Sequence, residues 1–317
     1  MNILCHCFDS AADEDKEILR NFFASCDYHG AGYTYLANLI WKDSYCICWE
    51  QFGDYLIIAG SDCMRADSDI VISMPLTADG RYDPQRLRES ILACKARFDD
   101  AGVPFVITRI PEHLKSVMRD AFPGGIELVH DRDDDEYVYL KEKLIELSGR
   151  ALHKKKNHLN FFLRTYEYEV KPVTSDMRKD IEALTARIKE AKEYDPEETD
   201  SLESEYKAID AIIDHLEDEK VYSAAIFING RLEAFAIGER SSDDTAIEHF
   251  EKANDDYRGL YQLVCREFCK VLPQEVIYVN REEDMGLENL RQAKEALKPD
   301  HMEVKYTARL TGVTVQL

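Results

Sequence analysis

The chain has 317 residues, 45% of them hydrophobic, which suffices for two domains with a core each. Lysine and arginine number 40 against 62 aspartates and glutamates, a formal net charge of −22. So acidic a chain excludes general binding of duplex DNA, whose affinity comes from neutralising phosphates, and leaves room only for a local basic patch.

Asp13 to Ala24 carries Ile18, Leu19, Phe22 and Phe23 at helical spacing. Tyr45 to Glu50 and Tyr55 to Gly60 read as strands joined across Gln51-Phe52-Gly53-Asp54, and Ile70 to Met74 as a third. Asp83 caps a helix with Pro84 at its first position and Leu87, Ile91, Cys94 and Phe98 as its stripe; Gly102 ends it. Val103 to Ile110 is a strand. Pro111 opens a helix through Leu114, Val117 and Met118, which Pro123-Gly124-Gly125 closes. Ile126 to Val129 and Tyr137 to Leu140 are expected to finish that sheet.

Tyr166 to Pro172 is a short strand pattern. Thr174 or Ser175 caps a helix through Met177, Ile181, Leu184 and Ile188. Glu193-Tyr194-Asp195-Pro196-Glu197-Glu198 breaks it, and a second helix carries Leu202, Tyr206, Ile209, Ile213 and Leu216. Val221 to Ile228 and Leu232 to Glu239 form a hairpin on Asn229-Gly230, a dipeptide suited to the left-handed turn such hairpins need. Thr245 to Lys252 is the next strand. Arg258 to Leu272 is a helix striped by Leu260, Val264, Phe268 and Val271; Val276 to Asn280 is a buried strand. Gly286 to Leu297 is a helix stopped by Pro299, and Met302 to Leu310 alternates as a last strand. Three strands, helix, strand, helix, strand thus occurs in both halves. The expected organisation is a duplication, with one module over residues 1–145 and another over 146–317.

The element order over 150–317 resembles the GNAT acyltransferase fold. The fold class expected is α+β (α/β), as tandem GNAT-like modules, each a mixed, mainly antiparallel sheet flanked by helices. The resemblance implies that the fourth and fifth strands run parallel and splay apart to receive an acyl donor. It also implies that the helix after the fourth strand aims its N-terminus at the donor's phosphates. Two stretches are more specific. One is Leu147-Ser148-Gly149-Arg150-Ala151-Leu152-His153-Lys154-Lys155-Lys156-Asn157-His158. The other runs Tyr257-Arg258-Gly259-Leu260-Tyr261-Gln262, Asn280-Arg281-Glu282-Glu283-Asp284-Met285-Gly286-Leu287 and Leu290-Arg291-Gln292-Ala293-Lys294. Together they resemble uncharacterised bacterial proteins grouped with the C-terminal domain of phosphatidylglycerol lysyltransferase. That resemblance implies transfer of an acyl or aminoacyl group from acyl-CoA or aminoacyl-tRNA to an amine or hydroxyl. The implied partners are a small-molecule or aminoacyl acceptor and a tRNA 3′ end.

Candidate residues follow. Tyr257, Arg258, Gly259 and Tyr261 stand at the head of the helix that would face the donor. Asp255 and Asp256 oppose a phosphate there, and Gly259 serves equally as a tight helix entry. The segment Arg150 to Arg164 is the one basic island, with five cations and no acid. Its His153, Lys156 and Asn157 are candidate substrate contacts, unless neighbouring acids neutralise the island. Glu248 and His249 lie on the strand expected to line the cleft, as base candidates or as packed side chains. Asn280 and Arg281 can orient a carboxylate or carbonyl, Asp284 can bind an amine or cap the next helix, and Tyr278 can protonate a leaving group. No cysteine spacing matches a closed zinc site, so no metal is expected. The nine cysteines read as reduced, buried thiols.

No apolar run approaches the roughly 20 residues of a membrane span. Met1 to Ser10 lacks the basic start and apolar stretch of a signal peptide, so a cytoplasmic location is expected. Two functions fit: a GNAT-fold transferase acting by direct attack, or a non-catalytic module on the same fold that binds a small amino-containing ligand.

Overall fold

The computed structural model describes residues 4, 6–8, 13–26, 28, 30–61, 69–191, 196–218 and 220–311. The chain forms two compact units. One comprises Met1–Asp134 with Glu303–Leu317, the other Asp135–Met302.

In chain order the first unit contains β1 (His6–Cys7), α1 (Asp13–Ala24), α2 (Tyr35–Tyr45), β2 (Cys48–Phe52), β3 (Tyr55–Gly60), β4 (Val71–Ser73) and β5 (Leu76–Thr77). α3 (Pro84–Ala101), β6 (Val106–Pro111), α4 (Lys115–Ala121) and β7 (Ile126–His130) follow. The second unit contains β8 (Glu136–Leu140), α5 (Lys141–Glu146), α6 (His153–Thr165), β9 (Glu169–Lys171), α7 (Arg178–Glu190) and α8 (Pro196–Ile213). It continues with β10 (Val221–Ile228), β11 (Arg231–Arg240), β12 (Thr245–Ala253), α9 (Leu260–Val271), β13 (Tyr278–Asn280), α10 (Glu288–Glu295) and β14 (His301–Glu303). The last strand, β15 (Lys305–Leu310), belongs to the first unit.

The two sheets have the same plan. The first runs β1-β2-β3-β4-β6-β15-β7, with β5 also on β3. The second runs β9-β10-β11-β12-β13-β8-β14. Each contains a parallel pair, β4 with β6 and β12 with β13, beside antiparallel pairs. This is the tandem GNAT-like α+β architecture. The chain returns to the first unit at its end: β15 lies between β6 and β7, while β8, directly after the first unit, lies between β13 and β14 of the second sheet. A cut at 145/146 therefore differs from the observed division at both ends. β8, expected to finish the first sheet, pairs instead with β13 through Tyr278↔Leu140, Val279↔Tyr139 and Asn280↔Val138. The expected strand Met302 to Leu310 is two strands in two sheets.

Local chemistry explains most elements. Asp83 caps α3 by accepting from the Arg86 N–H at 2.9 Å, and Gly102 ends it in the left-handed region at φ 66°. Asn229 and Gly230 take φ 52° and 77° in the hairpin turn. α2 was not expected. Thr34 caps it by accepting from the Ala37 N–H at 3.0 Å, and Cys46, read as strand, is its left-handed C-cap. Cys46 is also disulfide-bonded, which corrects the expectation of thiols throughout. Cys7, Cys26, Cys48, Cys94, Cys265 and Cys269 are free. The core of the second unit joins Tyr139, Ala234, Ala236 and Val279 of the sheet to Leu260, Leu263, Val264 and Phe268 of α9. Among the described residues, no helix is long and apolar enough to cross a membrane.

Gly238 of β11 shows how tight the second sheet is. A Cβ there would lie 2.0 Å from the Ile247 carbonyl oxygen and 2.8 Å from the Phe268 ring. Backbone cannot yield as a side chain can, so Gly238→Ala is expected to destabilise the protein by about 1–3 kcal/mol. The urea unfolding midpoint measures this, and an unchanged midpoint would contradict the packing described.

Candidate active site at the fork of the second sheet

β12 and β13 pair through Thr245↔Tyr278, Ala246↔Val279 and Ile247↔Asn280, and then part. The Arg281 N–H donates to the Tyr137 carbonyl at 2.9 Å, and the Tyr137 N–H to the Glu282 carbonyl at 3.1 Å. The chain leaving β13 thus follows β8, while β12 runs on to Ala253. Asn280 fixes the departure. Its Nδ2 donates to Glu136 Oε2 at 2.5 Å, and its Oδ1 accepts from the Glu282 N–H at 2.8 Å. Glu282 turns the chain at φ 59°.

A bulge sits at the mouth of this fork. Ile237 faces Phe250 and Gly238 faces Glu248, so His249 is an extra residue on β12. A bulged residue leaves the hydrogen-bond ladder and interrupts the alternation of faces. Glu248 and Glu251 therefore both reach Arg281. Arg281 Nε donates to Glu248 Oε2, and Nη2 lies 2.9 Å from Glu251 Oε2. The second oxygen of Glu248, Oε1, is buried without a hydrogen-bond partner. Burial raises the Glu248 carboxyl to about 8; Arg281 pulls it down and Glu251 adds to the rise. A buried, half-satisfied carboxyl poised in this range is a proton acceptor or donor in waiting.

His249 is different. Its ring is buried, with Nδ1 2.8 Å from Glu282 Oε1 and Nε2 3.0 Å from Glu239 Oε1. Burial alone lowers its pKa, but the hydrogen bonds to Glu239 and Glu282 outweigh that and raise it to about 10. At neutral pH His249 is an imidazolium donating from both nitrogens, with no lone pair to accept a proton. The geometry thus makes it a brace for the bulge rather than the general base expected of it.

Other expected residues are also engaged internally. Asp284 accepts from Arg291 Nε at 2.9 Å and Nη2 at 2.8 Å, from the Tyr137 hydroxyl at 2.6 Å and from the Gly286 N–H at 3.0 Å. Arg291 above all holds this carboxyl well below the usual carboxylate range, against burial. It anchors the loop; it does not cap the next helix, whose N-cap is Leu287 without a side-chain cap bond. Tyr278 is half-buried, packed edge-on against His301 at 5.4 Å, three positions short of the fork's mouth at Arg281. Lys294 was not singled out as a site residue, although it stands in the Leu290–Lys294 motif. Its ammonium donates to the carbonyls of Arg281, Glu282 and Glu283 at 2.5, 3.0 and 2.6 Å, and burial pushes it down to about 8.

The head of α9 is closed on one side. Gly259 is at φ 97°, and a Cβ there would lie 2.2 Å from the His158 carbonyl oxygen of α6. Tyr257 packs edge-on against Tyr166 at 5.2 Å, and Tyr261 is half-buried against the core. Arg258 is exposed, its guanidinium carbon 5.2 Å over the Phe161 ring of α6. On α6 itself, His153, Lys156 and Asn157 are exposed, the first and last 3.4 Å apart. Lys155 and His158, not chosen from the island, are the half-buried ones. Burial lowers the Lys155 pKa, with Arg281 and Lys154 lowering it further and Glu251 opposing. Burial likewise lowers His158, with Arg258, Lys154 and Lys155 adding to it.

The family model described as phosphatidylglycerol lysyltransferase, C-terminal, matches residues 23–309. The chain belongs to this family. An uncharacterised protein of Mycoplasmoides gallisepticum is 25% identical over 190 residues, covering 58% of this chain and 59% of that relative's length. A crystal structure of a conserved protein of unknown function from Bacteroides thetaiotaomicron matches with a TM-score of 0.83 at 24% identity, over 97% of this chain and 100% of that one. The structure of L-PGS from Bacillus licheniformis matches with a TM-score of 0.63 at 14% identity, over 99% and 96%. At these identities the likenesses show the fold.

For this family member the fork in the second unit is the better equipped of two. In the first unit β4 and β6 pair through Ile72↔Ile107 and Ser73↔Thr108, after which the chain of β4 moves to β5. The helix head beyond it, at Pro84, is capped by the unit's own Asp83, whose N–H donates to the Tyr55 hydroxyl at 3.0 Å. Ligand-type atoms of Glu248, Glu251 and Cys265 lie within 4.8 Å of one another. Arg281 pairs with both carboxylates of that cluster.

The brace at His249 has a pH signature. Its folded pKa lies above the unfolded value of about 6.5, so its contribution to stability is whole below that pH and is lost as pH rises through about 10. Between pH 8 and 10 the urea midpoint of the wild type is expected to fall more steeply than that of His249→Gln. Equal slopes would refute the doubly bonded imidazolium.

Proposed function

We propose that the protein is a transferase that moves an acyl or aminoacyl group from an activated carrier to an amine or hydroxyl, at the fork between β12 and β13. The observation that carries this is the bulge at His249, placed where the parallel pair ends. From Glu248 to Ala253 β12 runs on without β13 beside it, so that edge has lost its strand partner, and N–H groups fixed in advance along it would polarise a carbonyl and stabilise the oxyanion formed on attack. Membership of the lysyltransferase C-terminal family and the fold of L-PGS support the aminoacyl form of the reaction. The family's name also supports a lipid headgroup as one acceptor.

The chemistry needs few groups. The acceptor's nitrogen or oxygen attacks the carbonyl carbon, its proton passes to a base, and the carrier's oxygen or sulfur leaves and takes a proton. Positioning supplies much of the acceleration. Glu248 is the residue best placed to take the acceptor's proton, because its Oε1 is free and Arg281 holds its other oxygen. Arg281, Asn280 and Lys294 set the fork's geometry and are positioning residues. The rival reading, a non-catalytic binding module, draws on the closed head of α9 at Gly259.

A transfer assay with purified protein, labelled aminoacyl-tRNA or acyl-CoA and mixed amine and hydroxyl acceptors tests the proposal. Glu248→Gln is expected to lower turnover by about 10²–10⁴-fold. Because Glu248 must be ionised to accept a proton, the wild-type rate should rise with pH through about 8. Wild-type protein that transfers nothing with any donor would support the binding module; a pH profile unchanged by Glu248→Gln would remove Glu248 from the base role.

A further inference from the structure

We infer that the phosphate-bearing end of the donor lies against the Lys154–Lys155–His158 face of α6 and the neighbouring Arg258, instead of in a backbone cradle at the head of α9. The inference rests on the transferase reading and assigns the carrier's chemistry: phosphate esters, held by side chains.

Two observations meet here. The helix head that would cradle a phosphate is closed on one side, since a Cβ on Gly259 would lie 2.2 Å from the His158 carbonyl oxygen, and Asp255 and Asp256 precede it. Beside it stand cations that no carboxylate pairs with. Among the described residues, no carboxylate comes within 4.0 Å of Lys154, Lys155 or Arg258. In a chain with 62 acids, that is an unusual place to find unpaired positive charge.

The packing makes the arrangement a built one. α6 lies on α9 through Gly259 and Phe162, and the Arg258 guanidinium is held over Phe161 of the same helix. Lys155 is half-buried and close enough to Arg281 and Glu251 to respond to both charges, so the cationic face adjoins the fork. Glu251, the nearest acid, is taken up by Arg281. Burial lowers the protonation of Lys155 and His158, and neighbouring cations lower it further, Arg281 and Lys154 at Lys155 and Arg258, Lys154 and Lys155 at His158. An anion arriving there relieves that repulsion. The other flank of the helix, with Lys156 and the His153–Asn157 contact, lies away from Arg258 and serves as a built-in control.

The test uses the full chain and two probes, which separate the two sources of such phosphates. One is a fluorescein-labelled single-stranded RNA ending in CCA, read by anisotropy; the other is coenzyme A, read by calorimetry. One of the two is expected to bind the wild type at low salt. Lys154→Ala/Lys155→Ala/Arg258→Ala should weaken that binding at least about tenfold and, for the RNA, cut the slope of log affinity against log salt by about 2. Lys156→Ala should bind within about twofold of the wild type, and Lys154→Arg/Lys155→Arg/Arg258→Lys should restore most of the loss. Lys154→Ala and Arg258→Ala, both at exposed side chains, are also made singly, so a misfolded triple variant still leaves a readout. Failure of both probes to bind, an unaffected triple variant, or an equal loss in Lys156→Ala would each overturn the site. Turnover of a charged donor by the triple variant at wild-type KM would remove the phosphate site and leave the transferase standing. Probe binding that depends on α6, without transfer by the wild type, would do the reverse.

Discussion

The parting of β13 from β12 after Asn280 is the constraint on which the candidate site depends. Two strands that stayed paired would have no gap and no unladdered backbone between them. The chain commits to β8 instead, through the Arg281 and Tyr137 backbone bonds, and Asn280 locks that choice by bonding Glu136 and the Glu282 N–H. Lys294 then ties down three successive carbonyls of the departing loop, and Asp284 with Arg291 and Tyr137 holds its far end. Backbone bonds to β8 thus hold the departing chain off β12, while side-chain pairs from Arg281 to Glu248 and Glu251 and from Glu282 to His249 span the fork.

These bonds place charge where water is scarce. Buried ion pairs contribute little net stability, because desolvation offsets most of the attraction, whereas removing one partner of such a pair costs about 3–5 kcal/mol. The Glu248–Arg281–Glu251 and Glu239–His249–Glu282 groups are therefore better understood as devices for fixing geometry than as sources of stability. They differ in one respect that bears on chemistry. The second group is saturated, with every imidazole N–H bonded, while the first leaves Glu248 Oε1 free.

Much of the secondary structure was legible because its causes are local. Asp83-Pro84 and Gly102 bound α3, and Asn229-Gly230 makes a turn that few other dipeptides can make. α2 was missed because its stripe follows directly on Thr34 and runs into Tyr45, a residue that suits strands equally well. Sheet membership was not legible. Glu136–Leu140 alternates in the same way whichever sheet it joins, and only its partners, some 140 residues away, decide the matter. The same holds for the site. Glu248 and Arg281 could be named from the chain, but the bulge that aligns Glu248 with Glu251 is a property of β11 and β12 together. Nothing near His249 announces that Glu239 and Glu282 will enclose it. Helical spacing separates Lys155 and His158 from Lys156, but which flank is the covered one depends on α9.

The return of β15 makes the first unit a hostage to the second during synthesis. The first sheet stays open between β6 and β7 until the whole second unit has left the ribosome, since β15 is translated only then. Nascent chains of intermediate length carry an unsatisfied strand edge, the kind of surface that templates aggregation and calls for chaperones. The same wiring means that a single proteolytic nick after Asp134 need not release the first unit, because the downstream fragment still carries β15, a strand woven into the first sheet.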